Sequence, residues 1–217
     1  MLTAYIFCAS QMLNPKKINI PEVSGDIYIA ADSGIETAAK FNIIPDILIG
    51  DFDSVDLNYI TDNITQIKFP PEKNDTDSML AIKYALDLGY KNIAVIGGID
   101  GRIDHTLANL FYLKYIKNNG GTGYITNGYN KVTYIKNEEI KIYKNYKYIS
   151  VVPVNPEICV TLKGFKYNLD KAAVRFEEFY TVCNEIADDS SCGEIDIKDG
   201  EALICECDDV IYKNQKG

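Results

Sequence analysis

Ile93-Ala94-Val95-Ile96-Gly97-Gly98-Ile99-Asp100-Gly101-Arg102-Ile103-Asp104-His105 is the stretch that decides the fold. Four apolar residues closed by two glycines read as a buried strand with an abrupt end. Helical patterning follows from about Asp104 to Asn118 and stops at Gly120-Gly121. Leu107, Leu110, Phe111 and Lys114 recur there at helical spacing, and Asp104 suits the N-cap. The same alternation runs upstream. Tyr5–Ala9, Tyr28–Ala31 and Ile47-Leu48-Ile49 read as strands, and Gly34–Phe41 reads as a short helix. Asp77–Leu88 reads as a longer helix, with Met79, Ile82, Ala85 and Leu86 on one face and Gly89 at its end. Strands interleaved with helices imply βαβ units and a mostly parallel sheet.

Past about residue 122 the pattern changes. Gly123–Thr126, Lys131–Ile135, Glu139–Tyr143, Tyr148–Val154 and Ile158–Leu162 follow one another as strands, and Leu169–Phe179 reads either way. Gly193–Lys198 and Glu201–Cys207 flank Asp199-Gly200, which predicts a two-residue type I′ hairpin. The expectation is an α/β domain over residues 1–126 followed by an all-β domain over 127–217.

The 217 residues carry a formal charge of −9, from 22 basic and 31 acidic side chains. With no basic stripe, nucleic acid is not an expected partner. The opening Met1–Cys8 run reads as a strand and not as a signal peptide, and no apolar run approaches the ~20 residues that span a bilayer. A chain of this length buries roughly 70–75% of its unfolded surface and needs no disulfide staples. The six cysteines, at 8, 159, 183, 192, 205 and 207, are therefore read as reduced thiols of a cytoplasmic protein. Cys205 and Cys207 share one face of a strand, as a metal pair would, but a single histidine and no second pair weigh against zinc.

Three short segments concentrate aspartate: Gly50-Asp51-Phe52-Asp53-Ser54, Asn74-Asp75-Thr76-Asp77 and Gly101-Arg102-Ile103-Asp104-His105. Like charges about 4 Å apart repel by roughly 4 kcal/mol at an effective dielectric of 20, so a fold that gathers these carboxylates needs a cation between them. Hard oxygen donors with open positions suit Mg²⁺ carrying phosphates. Each segment falls at a strand end or a helix start, where ligands enter open α/β sheets. Each also has a plainer reading. Asp51 and Asp53 fit an Asp-rich turn, Asp75 to Asp77 a helix cap, Gly97-Gly98 a simple turn, and His105 a surface residue. Lys73 offers a point charge to phosphate, and Arg102 a planar fork.

Taken in order, Ala31-Asp32-Ser33-Gly34, Pro45-Asp46, Gly50 to Ser54, Lys73 to Asp77, and Gly97-Gly98 with Gly101 to His105 and Asn109 resemble thiamine pyrophosphokinase. Gly164-Phe165-Lys166-Tyr167-Asn168-Leu169 and Thr181-Val182-Cys183-Asn184-Glu185 extend the resemblance over essentially the whole chain. The resemblance implies a Rossmann-like α/β domain followed by a β-sandwich. It implies transfer of a pyrophosphoryl group from ATP to the hydroxyl of thiamine, giving thiamine diphosphate and AMP. It further implies a homodimer whose sites are shared between subunits. By the same resemblance Asp51, Asp53 and Asp77 hold Mg²⁺, and with Asp104 they form the catalytic set. Asp32, Ser33, Gly34, Lys73, Asp75, Thr76, Gly97, Gly98 and Arg102 are assigned to ATP. Asp104, His105, Asn109, Cys183, Asn184 and Ile186 are assigned to thiamine.

Two positions depart from the family pattern: Cys183 where serine is usual, and Ile186 where an aromatic residue often packs on thiamine. A thiol is a poorer hydrogen-bond partner, and Ile offers no aromatic face to a thiazolium. Tyr180 or another of the 16 tyrosines would then supply the stack. Three rival readings stand beside this one: a diphosphokinase for a pterin alcohol, an Asp-x-Asp phosphatase using Asp51 as nucleophile, and a non-catalytic sensor. The Asn184-Glu185 segment favours thiamine, the downstream motifs disfavour the phosphatase, and five retained aspartates disfavour the sensor.

Overall fold

The computed structural model describes residues 2–53, 55–70 and 75–210. It divides into two compact units, Met1–Gly128 and Tyr129–Gly217.

The first unit contains β1 (Thr3–Phe7), β2 (Ile27–Ala31), α1 (Gly34–Ala39), β3 (Ile47–Gly50) and β4 (Thr65–Lys68). It continues with α2 (Asp77–Asp87), β5 (Asn92–Ile96), α3 (Ile103–Asn118) and β6 (Thr122–Thr126). Its strands are parallel and ordered β4-β3-β2-β1-β5-β6. β1, β3 and β5 are apolar because both sheet faces are covered, and Ile6, Leu48, Ile49 and Ala94 have no accessible surface. The chain builds outward from β1 to β4, then crosses to place β5 on the other side of β1. That reversal makes the carboxyl ends of β1 and β5 a topological switch point, where neighbouring loops part and leave a crevice.

β4 is not legible as a strand in the sequence. Its Thr-Gln-Ile-Lys run is polar, and only Ile67 is even half-buried, as befits an edge strand paired with β3 alone. β1 begins and ends two residues earlier than expected, although Cys8 N still donates to Ile96 O at 2.9 Å. The N-cap of α3 is Arg102, so Asp104 lies inside the first turn, where its charge meets the positive helix end. α3 is also rotated from its expected face. It buries Asn109, Leu113 and Ile116, while Leu107 and Phe111 remain 49% and 50% exposed. The cause is polar: Asn109 Nδ2 donates to Gly98 O at 2.7 Å, which turns an amide inward where hydropathy alone expects a leucine.

Among its described residues the second unit holds seven antiparallel strands: β7 (Asn130–Lys136), β8 (Glu139–Tyr143), β9 (Tyr148–Pro153), β10 (Glu157–Lys163), β11 (Leu169–Arg175), β12 (Cys192–Lys198) and β13 (Glu201–Cys207). β13 lies between β7 and β9, and the other sheet runs β11-β10-β12-β8. Inward residues of both sheets, among them Ile149, Val151, Val160, Ile195, Ile197 and Ile204, form one core, as in a sandwich.

The stretch that reads either way is strand β11. It is an edge strand, only its Val174 is buried, and the register against β10 shifts between Val160 and Leu162. The expected hairpin is overturned. β12 pairs with β8 and β10, whereas β13 pairs with β7 and β9, so Asp199-Gly200 carries the chain from one sheet to the other. Of the pair, only Asp199 has positive φ. Gly200 is required by space, since a Cβ there would come within 2.4 Å of Ile158 Cγ2. Among the described residues no helix is long and apolar enough to cross a membrane.

Candidate active site

The carboxyl ends of β2 and β3 bring Asp32, Asp51 and Asp53 together, with one oxygen from each lying within 4.8 Å of the others. Extended backbone, which would point Asp51 and Asp53 the same way, is not what achieves this. Phe52 has φ +68°, and Asp53 N donates to Asp51 Oδ1 at 3.2 Å, so the segment is the Asp-rich turn of the plainer reading and a carboxylate cluster as well. Asp32 is left-handed too, at φ +49°. Such conformations in non-glycine residues cost on the order of 1–3 kcal/mol and collect at functional sites. The Phe52 side chain packs against the cluster of Ala30, Ile35, Leu48, Val55 and Ile64, which fixes the turn.

Asp53 titrates above the ordinary aspartate range. A hydrogen bond shared with Asp51 is the main cause, followed by the Asp51 charge, desolvation, and the charges of Asp32 and Asp77. Crowded acidic oxygens that favour a proton are a donor set suited to a cation. The chemistry fits a hard divalent cation such as Mg²⁺. Asp77, expected among the ligands, is not in the three-carboxylate group, but its charge reaches both Asp53 and Cys8.

At the switch point a cleft of about 240 Å³ is lined by Cys8, Ser10, Ser78, Gly98, Asp100, Arg102, His105 and other residues of the same loops. Gly97 must be glycine: at φ +91°, a Cβ would lie 2.4 Å from Cys8 O. Cys8 Sγ donates to Ser78 Oγ at 3.3 Å, and burial pushes the thiol up to about 11, so it stays protonated and serves as cleft wall.

The other expected nucleotide residues are spread around this region. Ser33 precedes α1, and Gly34 opens it. Thr76 caps α2, accepting from Met79 N at 3.2 Å, and its hydroxyl lies 2.8 Å from Tyr112 Oη. Asp75 is paired with Lys83 at 2.7 Å. Lys73, with its neighbour Asn74, and Ser54 lie outside the described residues.

Arg102 grips Asp104 with two bonds, Nε to Oδ1 at 3.1 Å and Nη2 to Oδ2 at 2.5 Å. The guanidinium holds the Asp104 carboxyl below the usual range, assisted by the His105 N–H, so Asp104 is a poor proton acceptor and a good fixed charge. Because its folded-state value is depressed, the pair stabilises the fold above the ordinary aspartate pKa, and that contribution is lost as pH falls through the depressed value. Arg102→Gln is expected to return the Asp104 midpoint toward the ordinary range. The check is its carboxyl ¹³C shift against pH; an unmoved midpoint contradicts the pairing.

In the second unit the expected thiamine segment runs beside β9, with Ile149 N donating to Asn184 O and Val151 N to Thr181 O. Asn184 is 5% exposed, and its amide holds the Gly164–Leu169 segment by accepting from Tyr167 N and donating to Tyr167 O. Ile186 is buried in the sandwich core and bridges to Phe165. Packing in that core accounts for its placement. Cys183 is exposed, with φ +59°, and its N–H donates to Ser150 Oγ. Tyr180 is exposed and donates to Ala173 O. All six cysteines are free, and burial pushes Cys205 up to about 12 and Cys207 to about 11, which disfavours the thiolate a metal pair needs.

Sequence reasoning passes over Asp100. Its carboxylate accepts from Ser10 Oγ at 2.5 Å and from the backbone N–H groups of Gln11 and Met12 at 3.1 Å each. A contact between residues about ninety positions apart leaves no local signal, so only the fold discloses it.

Comparison with known proteins gives a consistent pattern. Residues 23–123 match the family model described as thiamin pyrophosphokinase, catalytic domain, and residues 137–200 match thiamin pyrophosphokinase, vitamin B1 binding domain. The thiamine pyrophosphokinase of Bacillus subtilis (strain 168) is 31% identical over 185 residues, covering 79% of this chain and 86% of that protein. Thiamin pyrophosphokinase 1 of Caenorhabditis elegans is 25% identical over 201 residues, covering 85% and 81%. The crystal structure of the Bacillus subtilis protein superposes with a TM-score of 0.81 at 25% identity, covering 96% of this chain and all of that one (100%).

Proposed function

This chain belongs to the thiamin pyrophosphokinase family, enzymes that phosphorylate thiamine, and on that premise we propose that it transfers the pyrophosphoryl group of ATP to thiamine, with Mg²⁺, giving thiamine diphosphate and AMP. The observation that supports the finer reading is the convergence of the Asp32, Asp51 and Asp53 oxygens within 4.8 Å, at the strand ends that lead into the switch point.

The thiamine hydroxyl oxygen forms a bond to the β-phosphorus, the bond from that phosphorus to the oxygen bridging it to the α-phosphorus breaks, and AMP leaves with the bridging oxygen. The hydroxyl proton is lost to solvent or to a phosphate oxygen. Mg²⁺, when bound, supplies positive charge to phosphate oxygens that gain negative charge. Asp32, Asp51 and Asp53 would hold it, with Asp77 beside them. The glycine backbone at 97 and 98 and the Arg102 fork, with Lys73, Ser33, Gly34, Asp75 and Thr76, are assigned to the nucleotide. Asp104, already a fixed carboxylate, orients thiamine together with His105. Asn109 and Asn184 act by fastening the loops that line the site, and Cys183 is the exposed member of the second-unit segment. Fixing two substrates in line supplies much of the rate for a loose transition state.

We further propose that the working form is a cytoplasmic homodimer, each site drawing on the first unit of one subunit and the second unit of the other. The test is AMP release from Mg²⁺–ATP with and without thiamine, with product identified as thiamine diphosphate and specific activity followed on dilution. Thiamine-dependent AMP, with activity falling as the dimer dissociates, is the expected result. ADP with thiamine monophosphate, or AMP formed only with a pterin alcohol, overturns the reaction. Undiminished activity of a monomer overturns the shared site.

A further inference from the structure

Asp100 occupies an anion site that the chain builds from elsewhere. The Ser10 hydroxyl, Gln11 N–H and Met12 N–H converge on its two carboxylate oxygens at 2.5, 3.1 and 3.1 Å. Two successive backbone N–H groups and a hydroxyl aimed at one point form a nest of the kind that holds phosphate oxygens. The site is on the wall of the switch-point cleft, where Ser10, Gln11 and Asp100 all line the space. Lys40 Nζ, donating to Ser10 O at 3.0 Å, brings positive charge to its rim.

The arm that carries Asp100 lies between glycines on a fixed root. Gly98 is anchored, accepting from Asn109 Nδ2 and donating to Ala9 O. Gly101, at φ +76°, has nothing within 4 Å of where a Cβ would stand, so its conformation and not close packing calls for glycine. Ile99 and Asp100 therefore span two glycine joints. A carboxylate and a phosphoryl oxygen cannot share the same three donors, since like charges at that separation repel.

We propose that the Ser10–Gln11–Met12 nest is a phosphoryl-oxyanion subsite, and that Asp100 is its internal occupant, displaced when a phosphate of the nucleotide binds. The proposal deepens the nucleotide reading above and rests on it. Nucleotide affinity in this chain is then set partly by competition with its own aspartate.

Calorimetric titration of the full chain tests this, with inorganic tripolyphosphate, ATP and adenosine as separate probes in the presence of Mg²⁺. Asp100→Ala and Asp100→Asn are each expected to bind tripolyphosphate and ATP at least about fivefold more tightly than the unaltered protein, with adenosine affinity unchanged. Tripolyphosphate tightening without ATP tightening would assign the subsite to free polyphosphate and overturn the nucleotide part. Ser10→Ala on the Asp100→Ala background is expected to reverse the gain, because it removes a donor from the nest. Unchanged or weaker binding in both single variants overturns the proposal and makes Asp100 a clamp that shapes the loop. Asp100→Asn preserves side-chain volume, so it decides the matter if the alanine variant folds poorly. Thiamine-dependent AMP release by the unaltered chain is scored separately. Release without tightening defeats this inference alone, whereas absent release defeats the reaction assigned above.

Discussion

Asp51→Asn and Asp53→Asn are each expected to lower kcat by about 100-fold or more, the size of effect seen when one preorganised electrostatic group is removed. The three converging oxygens stand within 4.8 Å of one another, and each substitution replaces one anionic donor with a neutral amide. The fold should persist, because Asp53 is exposed and the turn is held by Phe52 packing and by the Asp53 N–H. In the Asp51→Asn variant that N–H keeps an acceptor, the carbonyl oxygen of the new amide. A second readout does not depend on turnover. Asp53 titrates high because of the hydrogen bond it shares with Asp51 and then the anionic charge around it, so its contribution to stability without metal is present at low pH and is lost as pH rises through the raised value. Mg²⁺ should therefore raise Tm more above the Asp53 titration than below it in the unaltered chain, with the increment shrinking in either variant. Turnover near the unaltered rate in both variants, or a Mg²⁺ increment that does not vary with pH, would remove the metal role from these residues.

How much of this is legible in the sequence depends on how local the cause is. Each helix is placed to within about two residues by its apolar spacing and the glycines at its ends, as at Gly89 and Gly120. The inner parallel strands announce themselves through unbroken apolar runs such as Ile93–Ile96, because burial on both faces leaves no room for polar residues, whereas the polar edge strand β4 does not. What fails is whatever is decided by a partner distant in sequence. The hairpin reading of Asp199-Gly200 uses a sound turn rule, but β12 and β13 each find their partners in different sheets. The rotation of α3 is set by a single amide bond from Asn109 to the glycine loop, invisible to a hydropathy count.

The candidate site divides along the same line. Motif order points to the carboxylates, and the fold brings Asp51 and Asp53 together with Asp32, which the motifs assign to the nucleotide. The left-handed turn at Phe52 is what makes that grouping, and no propensity scale favours it for an aromatic residue. Asn184 and Ile186 show what motif order leaves unread: the Asn184 amide satisfies backbone groups of Tyr167, and Ile186 fills the sandwich core.

Gly34→Ala makes the closest backbone approach of any single methyl addition at a glycine of the first unit, and is expected to cost folding heavily. Gly34 opens α1 directly after the Asp32 turn, and an added Cβ would stand 2.0 Å from Phe7 O and 2.6 Å from Phe7 C. Neither is the end of a flexible side chain. Both belong to the backbone of β1, which is hydrogen-bonded on each side to β2 and β5, so the strand cannot yield without breaking the sheet at its centre. The helix must instead move outward, opening the contact of buried Ile35 and Ala38 with the core. Overpacking of this kind typically costs about 1–3 kcal/mol and occasionally more, and a rigid backbone opponent places Gly34 at about 3 kcal/mol or above. For a chain of this size that corresponds to a Tm lower by roughly 6–12 °C. Since α1 follows Asp32, the displacement also reaches the carboxylate cluster, and Mg²⁺ should restore less stability to this variant than to the unaltered chain. Thermal unfolding with and without Mg²⁺ measures both. A Tm within about 2 °C of the unaltered protein, less than the shift of a single kcal/mol, would mean that α1 is not pressed against β1 as closely as the Phe7 contact requires.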